Sequence, residues 1–173
     1  MIFIFLSLLT SCSSIKPRPQ TNDSDSDVGS NKKIKNLEEI LDRAETQASP
    51  EGKSILTTSR EMIAKKEVVV GSCWDYINAV YNRSNYPEGK RVTALKSKIV
   101  GPFADVSMIQ PGDWLYFINH SYSERDHSGV FVEWVNLEKK RAIMMSYKGG
   151  KHKTPATYRI YSLRNVYYII RPK

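Results

Sequence analysis

Cysteine and histidine are scarce in this chain: 173 residues contain two cysteines, Cys12 and Cys73, and three histidines, His120, His127 and His152. One pair of cysteines cannot supply a disulfide framework, and with no histidine at ligand spacing near either of them a structural zinc site is not expected. No metal or other cofactor is expected. Long apolar runs are lacking too. The longest, Met1 to Leu6, continues past Ser7 to Leu9 and falls well short of the roughly 20 residues that a membrane-spanning helix needs. Acidic residues are missing from the end of the chain, where Lys139 to Lys173 holds ten Lys or Arg and no Asp or Glu. Much of the formal net charge of +8 therefore belongs to that third. A field of one sign points to an anionic neighbour such as membrane lipid, cell-wall polymer or nucleic acid.

What is present suffices for one folded domain. Hydrophobic residues make up 40% of the chain and aromatic residues 10%, enough for a core. Ten tyrosines against five phenylalanines suit strand surfaces that bury a ring and keep its hydroxyl wet. No internal repeat is visible.

The first residues read as a targeting segment. The run ends in small residues at Leu9-Thr10-Ser11-Cys12, which resembles the lipobox of bacterial lipoproteins, although the basic residues that usually precede such a run are missing. The resemblance implies a signal peptide over 1–11, cleavage before Cys12, diacylglycerol on the Cys12 thiol, and an exported protein anchored to the bacterial cell membrane. An ordinary signal cleavage and a buried N-terminal strand are the alternatives, as is a Cys12–Cys73 disulfide. Residues 12–32 carry Pro17, Pro19 and a Ser-Asp alternation with almost no apolar residue, the composition of a flexible tether.

Helical periodicity then begins. Ile34, Leu37, Ile40, Leu41, Ala44 and Ala48 predict an amphipathic helix over Lys33 to Ala48, within a segment 33–49 set on the outside of a domain at 50–173. Ser49-Pro50-Glu51 starts a second helix that runs to about Lys66. A third opens at Cys73, with Ser72 as N-cap, and stops at Asn85-Tyr86-Pro87. Arg91 to Asp105 reads as a connection, since Gly101-Pro102 excludes a long element. Pro111-Gly112-Asp113 is a turn, with Asp113 simply a turn residue. Strands follow at Trp114 to Ile118, His127 to Val135, Ala142 to Tyr147 and Val166 to Ile170, with a hairpin turn at Asn136 to Lys140. Helices first and strands after argue an α+β fold, N-terminal helices packed on an antiparallel sheet.

Cys73 is the candidate nucleophile. At the first position of a helix the unpaired amides and the dipole favour an anion, so a thiolate is stabilised there if a cation stands nearby; a small buried cysteine with no chemistry is the plain alternative. A thiol nucleophile needs a base that later protonates the leaving amine, and histidine serves both steps near neutral pH. His127 opens a strand able to cross the cysteine helix. His120 suits a turn, and His152, in Lys-Gly-Gly-Lys-His-Lys, suits solvent. If Cys73 and His127 form an ion pair, His127→Asn slows alkylation of the thiol and His120→Asn does much less. Trp74 and Asp75 read as core and cap residues.

Three features in this order, a cysteine opening a helix at Cys73, Pro-Gly-Asp before an apolar strand at Pro111 to Ile118, and a His-x-Gly-Val-x-Val strand from His127, resemble the NlpC-type cell-wall cysteine peptidases and their CHAP amidase relatives. The resemblance covers about residues 50 to 173. It implies a papain-like fold and a peptidoglycan hydrolase that cleaves amide bonds in peptidoglycan peptides, with Cys73 as nucleophile and His127 as general base and acid. The third polar member is implied on the next strand, within Met144 to Tyr147, where Ser146 and Tyr147 are the polar residues and Ser146 is the candidate. The family's Asp-Cys-Ser-Gly is here Ser72-Cys73-Trp74-Asp75, closer to the CHAP pattern, and the tyrosine often found upstream of the cysteine has no counterpart between Gly52 and Ser72. A surface lipoprotein that keeps the fold and binds cell-wall or host material without turnover is the competing expectation. A nucleic-acid partner is not expected, because the basic tail lacks a groove-reading motif.

Overall fold

Local capping chemistry starts two of the three helices. In the computed structural model, which describes residues 34, 36–120 and 123–173, α1 spans Leu37–Gln47, α2 Pro50–Ala64 and α3 Cys73–Arg83. The Ser49 side chain accepts from the Gly52 N–H at 3.1 Å, and Pro50 follows where its missing N–H leaves no bond unmade. α3 opens with a reciprocal pair: Ser72 Oγ accepts from the Trp74 N–H at 3.2 Å, and Asp75 Oδ2 accepts from the Ser72 N–H at 2.7 Å. Asn85, left-handed at φ 67°, ends it. α1 is shorter than its periodicity predicts because Asn36 is already left-handed. Leu41 and Ala44 are buried in the same core as α2 and α3, while Glu38, Glu39, Asp42 and Arg43 on the other side of the helix are exposed, so α1 covers that core from outside.

Six strands form one antiparallel sheet: β1 Arg91–Lys96, β2 Trp114–Asn119, β3 Arg125–Asn136, β4 Arg141–Ser146, β5 Thr157–Ser162 and β6 Val166–Pro172, in the order β1-β6-β2-β3-β4-β5. Four of them lie where apolar runs predict. The Arg91 to Asp105 stretch is corrected, since it contains β1, which sets Arg91 opposite Pro172 and Thr93 opposite Ile170. β5 is likewise additional, with Ala142 opposite Tyr161. Both are edge strands of mixed polarity. Their partners are chosen by pairing across the sheet, so neither shows a local run.

Each sheet face buries its own cluster. On one, Trp114, Val130, Val132, Ile143 and Met145 meet Ile55, Tyr76, Ile77, Val80 and Tyr81 of the helices. On the other, Leu115, Phe117, Phe131, Met144 and Ile169 are closed over by Ala104 and Ile109 from the β1–β2 connection. Burial on both faces is why β2 and the middle of β3 read as continuous apolar runs and not as alternation. Fully burying a side chain such as Phe117 contributes roughly 1.5–3 kcal/mol.

Pro111-Gly112-Asp113 is a structural junction. Gly112 sits at φ 92°, and a Cβ there would lie 2.5 Å from Gly52 Cα, so glycine lets the turn rest on the start of α2. Asp113 is 1% exposed and takes two hydrogen bonds from Arg171, each 2.8 Å long, and one from the Gln110 N–H at 2.8 Å. Burial raises its carboxyl above the usual range, against the pull of Arg171 and the amide. It is therefore a buried ion-pair partner and more than a turn residue. The Tyr81 hydroxyl donates to the Gly112 carbonyl at 2.8 Å and ties α3 to the same junction. Among the described residues, no helix is long and apolar enough to cross a membrane.

Candidate active site

Cys73 is the first residue of α3, partly exposed and carrying a free thiol. Its position is set from two sides. Ahead of it, Gly71 at φ 121° makes the break that turns the chain into the Ser72 cap, and a Cβ at Gly71 would strike Asp75 Oδ2 at 2.3 Å. The cap's hydrogen bonds hold the Asp75 carboxyl below its ordinary range. From across the fold, the Tyr147 hydroxyl donates to the Val69 carbonyl at 2.6 Å and accepts from the Val69 N–H at 3.1 Å. The Gly150 N–H donates to the Gly71 carbonyl at 2.7 Å. A Cβ at Gly150 would lie 2.6 Å from the Val69 carbonyl oxygen, so this contact requires glycine. The Lys-Gly-Gly-Lys-His-Lys loop is thus a strap laid against the approach to the cysteine.

His127 stands on β3 opposite Phe117 of β2. Its Nε2 is 3.0 Å from Ser146 Oγ, and that hydroxyl is 2.8 Å from the Tyr161 hydroxyl on β5. Phe117 meets the ring edge-on at 5.6 Å between centroids and Tyr161 lies 5.5 Å away. The β3–β4 register places Val130 opposite Met145, so one step further Gly129 faces Ser146, and His127 is its diagonal neighbour on the same sheet face. Burial depresses the His127 pKa to about 4, with the Arg159 charge adding to the fall and Asp126 opposing it. The imidazole is therefore neutral at pH 7. Neutral, it offers one N–H and one lone pair, and an Nε2–H given to Ser146 leaves Nδ1 as the basic atom.

Thiol and ring open onto one cleft of about 480 Å³, lined also by Ser72, Asn119, Ser146 and Tyr161. Among the described residues the hydrogen bond to the Cys73 sulfur comes from Ser128 Oγ at 3.5 Å, and none joins Cys73 directly to His127. Ser128 is buried at 2% exposure and follows His127 on the strand, so its side chain points to the helix face. By the same alternation His127 points to the other sheet face, with Phe117 and Tyr161, so no direct contact supports the ion pair expected from the sequence: the neutral imidazole and the Cys73 sulfur meet only through the cleft that both line.

The candidate residues thus separate. Cys73, His127 and Ser146 share the cleft. Tyr147, the alternative third member, also lines the cleft but from the helix face of the sheet, where it stacks on Tyr76 at 4.4 Å and serves the backbone of Val69. His120 Nε2 is 2.6 Å from Asn165 Oδ1 and lies outside the cleft, while exposed His152 is on its rim. Trp74 is 46% exposed, not core. Cys12, the leader 1–11 and the tether 12–32 lie outside the described residues. Sequence reasoning passed over Ser128, Tyr161, Arg125, Lys148 and Arg159; the only local signal for Ser128 was its place beside His127. Among the described residues no group of three His, Cys, Asp or Glu is placed to hold a metal ion.

Fold and site together define an α+β protein, three helices on a six-stranded antiparallel sheet, that presents a helix-start thiol and a hydrogen-bonded imidazole to one cleft. Comparison of the chain with protein-family models, with curated proteins and with solved structures finds no match in any of the three.

Proposed function

We propose that this protein is a lipid-anchored cysteine hydrolase of the papain-like NlpC/CHAP type that cleaves amide bonds in peptidoglycan peptides. The observation that carries the reading is the His127 Nε2 to Ser146 Oγ bond in a cleft shared with a cysteine at a helix start. In the first step the neutral imidazole takes the thiol proton as Sγ attacks the carbonyl carbon, so thiolate and imidazolium form together and not in the resting site. The Cys73 backbone N–H, one of the amides that a helix start leaves without an intrahelical acceptor, serves the developing oxyanion. The imidazolium then protonates the departing amine, leaving an acyl group on sulfur. Finally a water, deprotonated by the same ring, releases the acid and restores the thiol. Ser146 is the positioning residue, holding the tautomer and angle of His127. Ser128 fixes the thiol. Cys12 carries the anchor, for which two acyl chains give stable membrane binding.

A binding lipoprotein that keeps the fold without turnover is the second reading, favoured by the absence of a direct Cys73 to His127 hydrogen bond among the described residues. Incubation with purified peptidoglycan, followed by mass analysis of released peptides, separates the two. The hydrolase reading expects cleaved stem peptides from the wild type, none from Cys73→Ala, and loss of membrane fractionation for Cys12→Ser. Release that survives Cys73→Ala rules out the thiol mechanism. Binding without release, together with a Cys73 that resists alkylation, leaves the second reading.

A further inference from the structure

The connection between β1 and β2 carries an apolar tip that projects into solvent. The Gly101 N–H donates to the Lys98 carbonyl at 2.8 Å and closes a β-turn whose two corner residues are Ile99 and Val100. Corners of that kind usually hold Gly, Pro, Asn, Asp or Ser, which suit the backbone and face water. Here Ile99 is 51% and Val100 79% exposed. Phe103, 36% exposed, lies against Gly101, where a Cβ would be 3.4 Å from its ring. Single apolar side chains on a surface are ordinary, but with exposed Pro102 these form one continuous stretch. The arm beneath the tip is fixed. The Ser97 N–H donates to the Tyr167 carbonyl at 2.8 Å, the Ala104 N–H donates to the Val166 carbonyl at 2.7 Å, and Ala104 is buried with Leu115 and Phe117. Folding therefore holds the tip out and gives it no cover.

We propose that the tip at 99–103 is a membrane-contact loop, its apolar side chains inserted among the lipids of an anionic bilayer while Lys96 and Lys98 meet the headgroup phosphates. The charge around the tip fits such a surface. Between Glu88 and Asp105 the chain carries four Lys or Arg and no acid, and Lys96 and Lys98, both exposed, flank the turn. The Lys96 ammonium stands 5.6 Å over the Tyr168 ring. Asp105, the next acid along the chain, is turned inward to accept from the Ser107 N–H at 2.9 Å. An apolar tip with cations at its base matches the layering of a bilayer interface, where the stems of the lysines lie along the apolar layer and their heads stay at the anionic surface. Shape decides against a protein partner: a projecting tip of five residues offers far less than the about 800 Å² per partner of a stable interface, whereas a fluid lipid surface closes around it. The inference goes beyond the hydrolase reading and requires neither Cys73 chemistry nor an acyl chain on Cys12.

A fluorophore placed at the tip tests this without reference to peptide release. The full chain carries Cys12→Ser, so that no acyl chain is attached, and is mixed with vesicles of phosphatidylglycerol or of phosphatidylcholine that contain a bromine-labelled lipid. Val100→Trp puts a tryptophan on the tip. Glu39→Trp puts one on the outer side of α1, which covers the opposite face of the sheet, and each is read as the difference from the parent chain with its three native tryptophans. The tip emission should shift to the blue and be quenched on phosphatidylglycerol, with little change on phosphatidylcholine and none for Glu39→Trp. Adding Lys96→Gln and Lys98→Gln to Val100→Trp should weaken vesicle affinity about tenfold, and salt should weaken the unaltered pair in the same direction. An unquenched tip, equal quenching for Glu39→Trp, or quenching indifferent to lipid charge or to the lysine pair overturns the loop. An unquenched tip together with a dimer in sedimentation that Val100→Asp splits assigns the tip to a second copy of the chain instead.

Discussion

The protonation state of His127 yields a stability test with a defined sign. In an unfolded chain imidazole titrates near 6.5, whereas in the fold burial and Arg159 lower His127 to about 4. Between those values the unfolded state binds the extra proton. Stability from the neutral ring is thus fully present above pH 6.5, and it is lost as pH falls toward 4. Linkage over the two values gives about 2 kcal/mol lost between pH 7 and pH 5. His127→Asn cannot titrate. Contributions from other groups are common to both proteins, so the quantity to follow is the wild-type unfolding free energy minus that of the variant. Urea denaturation at pH 7 and pH 5 should show that difference shrinking by about 2 kcal/mol. A difference that stays constant, or grows at pH 5, would falsify the neutral-ring site. Growth is the outcome expected of an imidazolium paired with a thiolate, because a histidine raised above 6.5 adds stability at low pH.

Two further substitutions probe the supports of the site. Ser146→Ala removes the hydroxyl shared by His127 and Tyr161 in a buried position; we expect a stability loss of about 1–3 kcal/mol and Cys73 alkylation and peptide release slowed about tenfold to a hundredfold. Lost stability with unchanged reactivity would make Ser146 a structural residue only. Arg171→Met strands the Asp113 carboxylate in the core and should destabilise by about 3–5 kcal/mol in urea, with part of the loss recovered by adding Asp113→Asn. A loss under about 1 kcal/mol would show that Asp113 is neutral in the wild-type fold.

The sequence by itself determined what depends on neighbours within a few residues. Ser72, Asp75 and the break at Gly71 place Cys73 at the first turn of α3, because caps are satisfied by amides two or three residues away. Ser49-Pro50 starts α2 in the same way. The runs at Trp114 and Val130 announce central strands because both faces of the sheet are covered.

Only the tertiary structure decided which side chains meet. Arg91–Lys96 becomes a strand because β6, more than seventy residues later, pairs with it. Asp113 finds Arg171 across 58 residues. Ser146 and Tyr147 are adjacent and polar, and their residue types do not assign their roles; pairing puts one on the His127 face and the other against Val69. The state of His127 is likewise non-local. Its depressed pKa comes from burial against Phe117 and Tyr161 and from Arg159 on β5, so the same histidine in a strand of other neighbours would titrate elsewhere. Periodicity of two residues fixes that alternate side chains part company, but the face each takes is settled when strands distant in sequence close the sheet.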